Sequence, residues 1–485
     1  MNRRTFLTAA SGFIAGCYSL PEIVAEELVL EVDWELKEAD IAFQNLEKFP
    51  KEERGYYAYL STCTVEGEYR DSLGEVLKVI IPSLCHKTSL KEQLPVQVSE
   101  TLYRINLFQL GWLPNWHKVL SQHYPYYPNW IDRKKQYPLV IRADWFCADI
   151  FDESQTGDAQ HLFLYAGAVP KNRADYYKFW GVQENQEYVY GMIEGESGVA
   201  VNDKSGLKSM RHLENLTTSK RGYAWRTRDS RKVTGVFDPF QNIALGPEGF
   251  QYDASEYITG MYKVMGQKSG CLQSYLLTDG NKVLKQDAKG KVLERQTQTR
   301  QAKAPVDIVE EKNNIRGREI CNGASCIHCH PKGIVPPTSN RYVKYIKADT
   351  QLFLDEKSKP EVERYHGSDL EREILYNQQL YNDGVRMCCN LSAAEFSAAY
   401  TEVVRQYVGQ VDLARLSREM GLLYGTATMT PAELEKALAY GSKYNTLTLD
   451  AAEIAEGETI SRDSVIENFP RFQKVVDLWQ ARPKS

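Results

Sequence analysis

Five consecutive residues, Cys326-Ile327-His328-Cys329-His330, restrict this chain more than any other feature. Two cysteines separated by two residues, with a histidine immediately after, bring two sulfurs and an imidazole together on about one turn of chain. That arrangement suits covalent attachment of a c-type haem: two sulfurs meet the two porphyrin vinyl groups, and the next side chain turns under the iron. Ten cysteines and eight histidines scattered over 485 positions would produce the pattern in roughly three chains per thousand, so chance is a poor account of it. Two other chemistries use the same residue types. A zinc ion could be held by Cys321, Cys326, Cys329 and either His328 or His330, and a C-x-x-C pair can cycle between dithiol and disulfide. No thioredoxin-like strand and helix pattern surrounds the pair, which weakens the redox-motif reading.

The N-terminus, MNRRTFLTAASGFIAGC, places Arg3 and Arg4 ahead of a short apolar run that ends at Ile14-Ala15-Gly16-Cys17. This has the form of a secretory signal peptide. Residues 5–16 are too few to span a bilayer, which needs about twenty across ~30 Å of hydrocarbon. The end of the run resembles a bacterial lipobox, which implies that Cys17 is diacylated and becomes the first mature residue; an unlipidated signal sequence is the alternative. Asn2-Arg3-Arg4-Thr5-Phe6-Leu7 also resembles a twin-arginine export signal. That route carries folded proteins, whereas covalent haem is attached to unfolded, reduced thiols. Both routes end outside the cytoplasm, and the expected location is the periplasm, anchored to the membrane through lipid.

Setting aside Cys17, Cys326 and Cys329 leaves seven of the ten cysteines: Cys63, Cys85, Cys147, Cys271, Cys321, Cys388 and Cys389. Their wide spacing is not that of a compact disulfide framework. Buried thiols and one or two disulfides are both open readings, although a bond between adjacent Cys388 and Cys389 would be strained.

At 485 residues the chain exceeds one ordinary core, and the length predicts about three domains. A hydrophobic fraction of 42% with 25% charged residues can bury such cores, and excludes a disordered or fibrous chain. The net charge is −5 and the basic residues are dispersed, so no nucleic-acid footprint stands out.

Periodicity divides the chain after the 1–17 signal peptide. Residues 28–95 read as a helical region: Leu73, Val76, Leu77, Ile80, Ile81 and Leu84 recur at three and four, and two or three helices are expected between 36 and 84. Residues 96–304 read as an α+β domain. Tyr103, Ile105 and Leu107 alternate, residues 138–141 form a short apolar run, and Tyr223, Trp225 and Thr227 alternate again. Residues 256–264 and 271–277 read as strands, and 282–304 as an exposed hairpin around Gly290 followed by a linker.

Residues 305–410 hold the haem motif, and 411–485 form a helical C-terminal region. Helices are expected over 369–381, 392–407, 431–440 and 461–479. Ser392 with Glu395, and Thr430 with Pro431 and Glu433, mark two of their starts. The expected fold is multidomain, α+β in its N-terminal and middle parts and mostly helical, cytochrome-c-like, after them.

Gly323-Ala324-Ser325-Cys326-Ile327-His328-Cys329-His330, followed by Gly333, resembles the attachment site of a monohaem cytochrome c. The wider chain resembles a poorly characterised family of exported bacterial proteins with one S-C-x-x-C-H site late in the sequence. Leu102-Tyr103-Arg104-Ile105, Gly111-Trp112, Tyr124-Pro125-Tyr126 and Arg142-Ala143-Asp144-Trp145 carry that likeness in the first part. Arg211-His212, Tyr223-Ala224-Trp225 and Gln273-Ser274-Tyr275 carry it in the middle. The resemblance implies one haem c and electron transfer, and supplies no substrate and no redox partner.

What fills the sixth iron position separates electron transfer from ligand chemistry. Met387, 57 residues after His330 and just before the helix starting at Ser392, has the order found in class I cytochromes c, although Cys388-Cys389 departs from their pattern. A core methionine is the bland alternative. His212, from the middle part, and His366, in a polar turn, are the further candidates. The aromatic stretch from His123 to Trp130 could face a sugar or polymer, but packing around its prolines is the simpler reading. No serine-histidine-acid set, phosphate loop or paired carboxylates point to catalysis. The expectation is an exported single-electron carrier with the α+β part as a docking or sensing module. A haem-dependent oxidoreductase with a separate active site in the middle domain, and a binding protein braced by haem, are the rivals.

Overall fold

The structure is a computed structural model and describes residues 37–65, 67–84, 94–126, 138–150, 324–333, 369–423, 430–442 and 457–481, residues 318 and 454, and the strands between 189 and 311. Outside those strands, the described residues are mostly helical with a small mixed sheet.

α1 (Lys37–Leu46) leads through a short 3-10 turn into β1 (Tyr57–Ser61), followed by α2 (Glu68–Ser83), β2 (Val96–Gln97) and β3 (Leu102–Asn106). After β3 come α3 (Trp116–His123) and β4 (Val140–Arg142), which runs into the fully buried turn Ala143–Trp145 and a π-helical segment, Phe146–Ile150. The strands pair in the order β2-β3-β1-β4. β1 is antiparallel to β3 and parallel to β4, so Leu60 lies opposite Tyr103 on one side and Ile141 on the other.

Leu73, Val76, Leu77, Ile80 and Ile81 of α2 are all buried, as their spacing predicts. The helix meets β3 at Gly74, where an added Cβ would stand 2.3 Å from the Tyr103 hydroxyl, so a side chain there would force the two elements apart. Trp112 closes the other end of α2 by donating its indole N–H to the Leu84 carbonyl at 3.3 Å. Tyr124 and Tyr126 from the aromatic stretch are core residues, edge-on to Trp145 and Phe469 at 4.6 and 4.7 Å. They are packing, and residues 127–130 lie outside the described residues.

In the middle of the chain lie β5 (Val189–Ile193), β6 (Ser205–Leu207), β7 (Met210–Thr217), β8 (Tyr223–Ser230), β9 (Ala254–Met261) and β10 (Leu272–Thr278). β11 (Val283–Gln286), β12 (Val292–Arg295), β13 (Thr299–Gln301) and β14 (Val309–Glu311) follow. Six of them pair antiparallel in the order β13-β10-β9-β8-β7-β5, while β11 pairs with β12 and β14 with β6. The expected hairpin around Gly290 is the β11 and β12 pair.

The C-terminal half contributes α4 (Ala324–Cys329), α5 (Asp369–Cys388), α6 (Ala393–Val408), α7 (Leu413–Leu423), α8 (Pro431–Ser442) and α9 (Arg462–Ala481). Ser392 and Glu395 form the expected capping box at α6. One continuous apolar cluster links both ends of the chain, from Ala58 and Leu60 through Ile327, Phe396 and Tyr400 to Phe469 and Val476.

Three readings need correction. The region read as helical between 36 and 84 contains β1, whose Ala-Tyr-Leu alternation is masked by burial on both faces. α7 is not among the expected helices, although Asp412 marks its start as an N-cap that accepts from the Arg415 amide at 2.7 Å. α5 runs seven residues beyond Tyr381 and so takes Met387 into its last turn.

Candidate functional site

α4 is only six residues long, yet it sorts its side chains onto two faces. The amide of His330 donates to the Cys326 carbonyl at 2.9 Å, continuing the helical bonding by one residue. Cys326, Cys329 and His330 therefore stand at i, i+3 and i+4, which on a helix is one face. Cys326 and His330 are half-buried and Cys329 is buried.

The other face is anchored. Ser325 donates to the Glu311 carboxylate at 2.6 Å, and His328 Nδ1 meets the Thr401 hydroxyl at 3.0 Å. His328 Nε2 lies 3.7 Å from the second Glu311 oxygen, and both residues are buried. Ser397 of α6 donates to the Ile327 carbonyl at 2.8 Å. Thus β14 and α6 fix the back of α4, and the two cysteines and His330 share the front.

The turn after α4 orients His330. Gly333 adopts φ +89°, a left-handed conformation that suits glycine, and its amide returns to the His330 carbonyl at 3.0 Å. The same turn sets the Gly333 carbonyl 3.2 Å from His330 Nδ1. A carbonyl only accepts, so Nδ1 carries a proton; in the neutral ring Nε2 then holds the lone pair, the tautomer that a metal-ligating imidazole needs. Gly333 rests on the ring of Tyr381, where an added Cβ would be 3.4 Å away.

These observations fit a covalently bound haem: two thiols on one face, one accessible and one at the edge of the core, and an adjoining imidazole of the right tautomer. They fit the zinc arrangement that uses His328 poorly, because that ring lies about 200° around the helix from Cys326 and is held from behind. Cys321 lies outside the described residues. Among the described residues no three His, Cys, Asp or Glu side chains converge as a metal-ion cage.

The remaining candidates are spread widely. Tyr381 brings α5 to the Gly333 turn, and Met387 lies six residues further on, about 9 Å along the axis. Its side chain is 42% exposed while Cys388 and Cys389 beside it are buried. His212 sits on β7, in register with Met192 of β5 and Arg228 of β8. His366 and Cys17 lie outside the described residues. Cys63 and Cys147 are thiols; burial pushes Cys147 well above the usual thiol range and Cys63 up to about 12, so neither is poised as a nucleophile.

Sequence reasoning missed the groups behind α4, Glu311, Ser397 and Thr401, which have no local motif. It also missed a buried ion network. Arg142 binds Asp144 at 3.1 and 2.6 Å and reaches Glu419 of α7 at 3.0 Å, while Arg462 of α9 grips both Glu419 oxygens at 2.7 Å. Burial by itself would raise both carboxyls; Arg142 holds Asp144 below the usual carboxylate range, and Arg142 and Arg462 hold Glu419 well below it. The guanidinium of Arg142 lies 4.4 Å over the Tyr126 ring, and Tyr407 donates to Asp149 at 2.8 Å.

No helix among the described residues is long and apolar enough to cross a membrane. No family model, curated protein or solved structure matches the chain.

Proposed function

We propose that this chain is an exported c-type cytochrome that carries one haem on Cys326 and Cys329, with His330 as an iron ligand, and passes single electrons outside the cytoplasm. The observation that carries this reading is the shared face of Cys326, Cys329 and His330, with His330 Nδ1 turned to the Gly333 carbonyl. Cys326 and Cys329 would hold the haem through thioethers, each formed by adding its S–H across a vinyl group, so attachment would consume no oxidant. When bound, the haem supplies a one-electron couple. His330 would hold the iron, with the ring oriented by the Gly333 carbonyl, and Glu311, Ser397 and Thr401 keep α4 in place behind them.

The N-terminal segment belongs to the same proposal: export, lipidation at Cys17 and attachment to the outer face of a membrane, with no nucleic-acid partner. The cytochrome-like character of the C-terminal part and a docking role for the middle sheet are inferences of this reading, as is a sixth ligand from Met387 or His212.

The test is haem retention. After expression with a working haem-maturation system, the haem is expected to survive acidified-acetone extraction and to migrate with the polypeptide on a denaturing gel. Haem that extracts freely, or zinc in place of iron, would overturn the reading.

A further inference from the structure

One end of the N-terminal sheet carries an aromatic patch that nothing in the chain covers fully. β1 starts at Tyr57 and β3 stops at Asn106, its partner in register, so the residues flanking both strands meet there. Asn106 caps the helical turn Leu107–Leu110, accepting from the amides of Phe108 and Gln109 at 3.1 and 3.0 Å. That turn buries Leu107 and Leu110 and leaves Phe108 63% exposed, more than any other large apolar side chain among the described residues.

Three further rings extend the patch. Tyr56 stacks on Phe108 with centroids 5.2 Å apart, and Phe49 lies 4.1 Å from Tyr57. Phe49, Tyr56 and Tyr57 are half-buried, and no residue of the 3-10 turn Lys51–Tyr56 is buried. Arg54 braces that turn by donating to the Phe49 and Glu47 carbonyls at 3.2 and 3.3 Å. Arg104 sits 4.6 and 5.3 Å over the rings of Phe49 and Tyr57 and donates to Asn45 at 2.9 Å. The rings are therefore held in place without a partner's help.

The charges nearly cancel, since Lys48, Lys51, Arg54 and Arg104 stand against Glu47, Glu52 and Glu53. A nearly neutral surface of Tyr and Phe matches the interface of a bilayer, where such rings lie at the level of the headgroups. Twenty residues separate Cys17 from Lys37, where α1 begins, and they span at most about 70 Å. α1 ends at Leu46, three residues before Phe49. A chain lipidated at Cys17 thus keeps the patch within reach of the membrane, and this high effective concentration lets a few aromatic rings suffice.

We propose that this end of the N-terminal sheet rests on the bilayer that anchors the protein, with Phe108 and Tyr56 at headgroup depth. The inference rests on lipidation at Cys17. It adds a fixed orientation, which a tether alone leaves free.

The test uses the full lipoprotein in vesicles of phosphatidylcholine brominated near the headgroup end of the acyl chains, with ordinary phosphatidylcholine as the reference. Phe108→Trp puts an indole, a side chain suited to the same interface, at the centre of the patch. Leu375→Trp, at a 52% exposed site on α5, is the control. Roughly half of the emission added by Phe108→Trp should be lost in the brominated vesicles, and less than about a tenth of that added by Leu375→Trp. About 0.5 M salt should leave both values unchanged, because it screens attraction between charges. Intact mass and flotation of the same samples read the anchor. Lipidated protein that floats with the vesicles but is quenched no more after Phe108→Trp than after Leu375→Trp overturns this inference alone. Quenching that salt abolishes also overturns it, because the contact would then be made by charges. An unlipidated mature N-terminus overturns the lipobox reading and this inference with it.

Discussion

The Gly333 carbonyl lies 3.2 Å from Nδ1 of His330, and the contact is made by a turn that only a positive φ allows. Gly333→Ala is expected to cost about 1–2 kcal/mol of stability, the ordinary strain of a left-handed alanine, because its Cβ would meet the Tyr381 ring at van der Waals distance and not clash. The strain would displace the carbonyl and, if His330 ligates a haem iron as proposed, would leave the imidazole a weaker donor and raise the haem potential. Potentiometric titration checks this, and an unchanged potential with lowered stability would mean that the turn is only structural.

Met387 offers a clean test because it is 42% exposed, so its loss removes little packing. If its thioether is the sixth ligand, Met387→Ala abolishes the weak near-infrared sulfur-to-iron band of the oxidised protein and opens the iron to carbon monoxide. His212→Ala then leaves both unchanged. A wild-type protein without that band rules out the thioether, and a low potential would point to a second imidazole instead.

Glu419 connects Arg142 of the N-terminal sheet to Arg462 of the last helix. Its carboxyl and that of Asp144 are held below their ordinary values, so their contribution to stability is complete above the unfolded value of about 4. It drains away as the pH falls through the folded values. Urea unfolding should therefore give a flat stability from neutral pH to about pH 5 and a decline below it. Glu419→Gln should lose about 3–5 kcal/mol at pH 7, since it leaves buried guanidiniums unpaired, and should have a shallower acid decline. An acid limb identical to that of the wild type would count against this role.

The lipobox reading makes Cys17 the first mature residue. Cys17→Ala is expected to block processing or release the protein from membranes, read by fractionation and intact-mass measurement. An unmodified mature N-terminus elsewhere in the wild type would contradict it.

Local chemistry was readable from the residues. The C-x-x-C-H spacing places two sulfurs and an imidazole on one turn, Ser392 and Glu395 announce the start of α6, and the three-and-four spacing of α2 fixes its buried face; all depend on near neighbours along the chain. β1 was hidden because burial on both faces erases the alternation that marks a strand. What only the tertiary structure decided depends on residues far apart along the chain, 73 positions for His328 and Thr401 and 277 for Arg142 and Glu419. Nothing in the neighbourhood of Glu419 predicts that it will meet Arg142, or that Thr401 will receive His328. Those pairings arise because folding brings charged and polar side chains into one dry interior, where each is stable only beside a partner that the local sequence does not name.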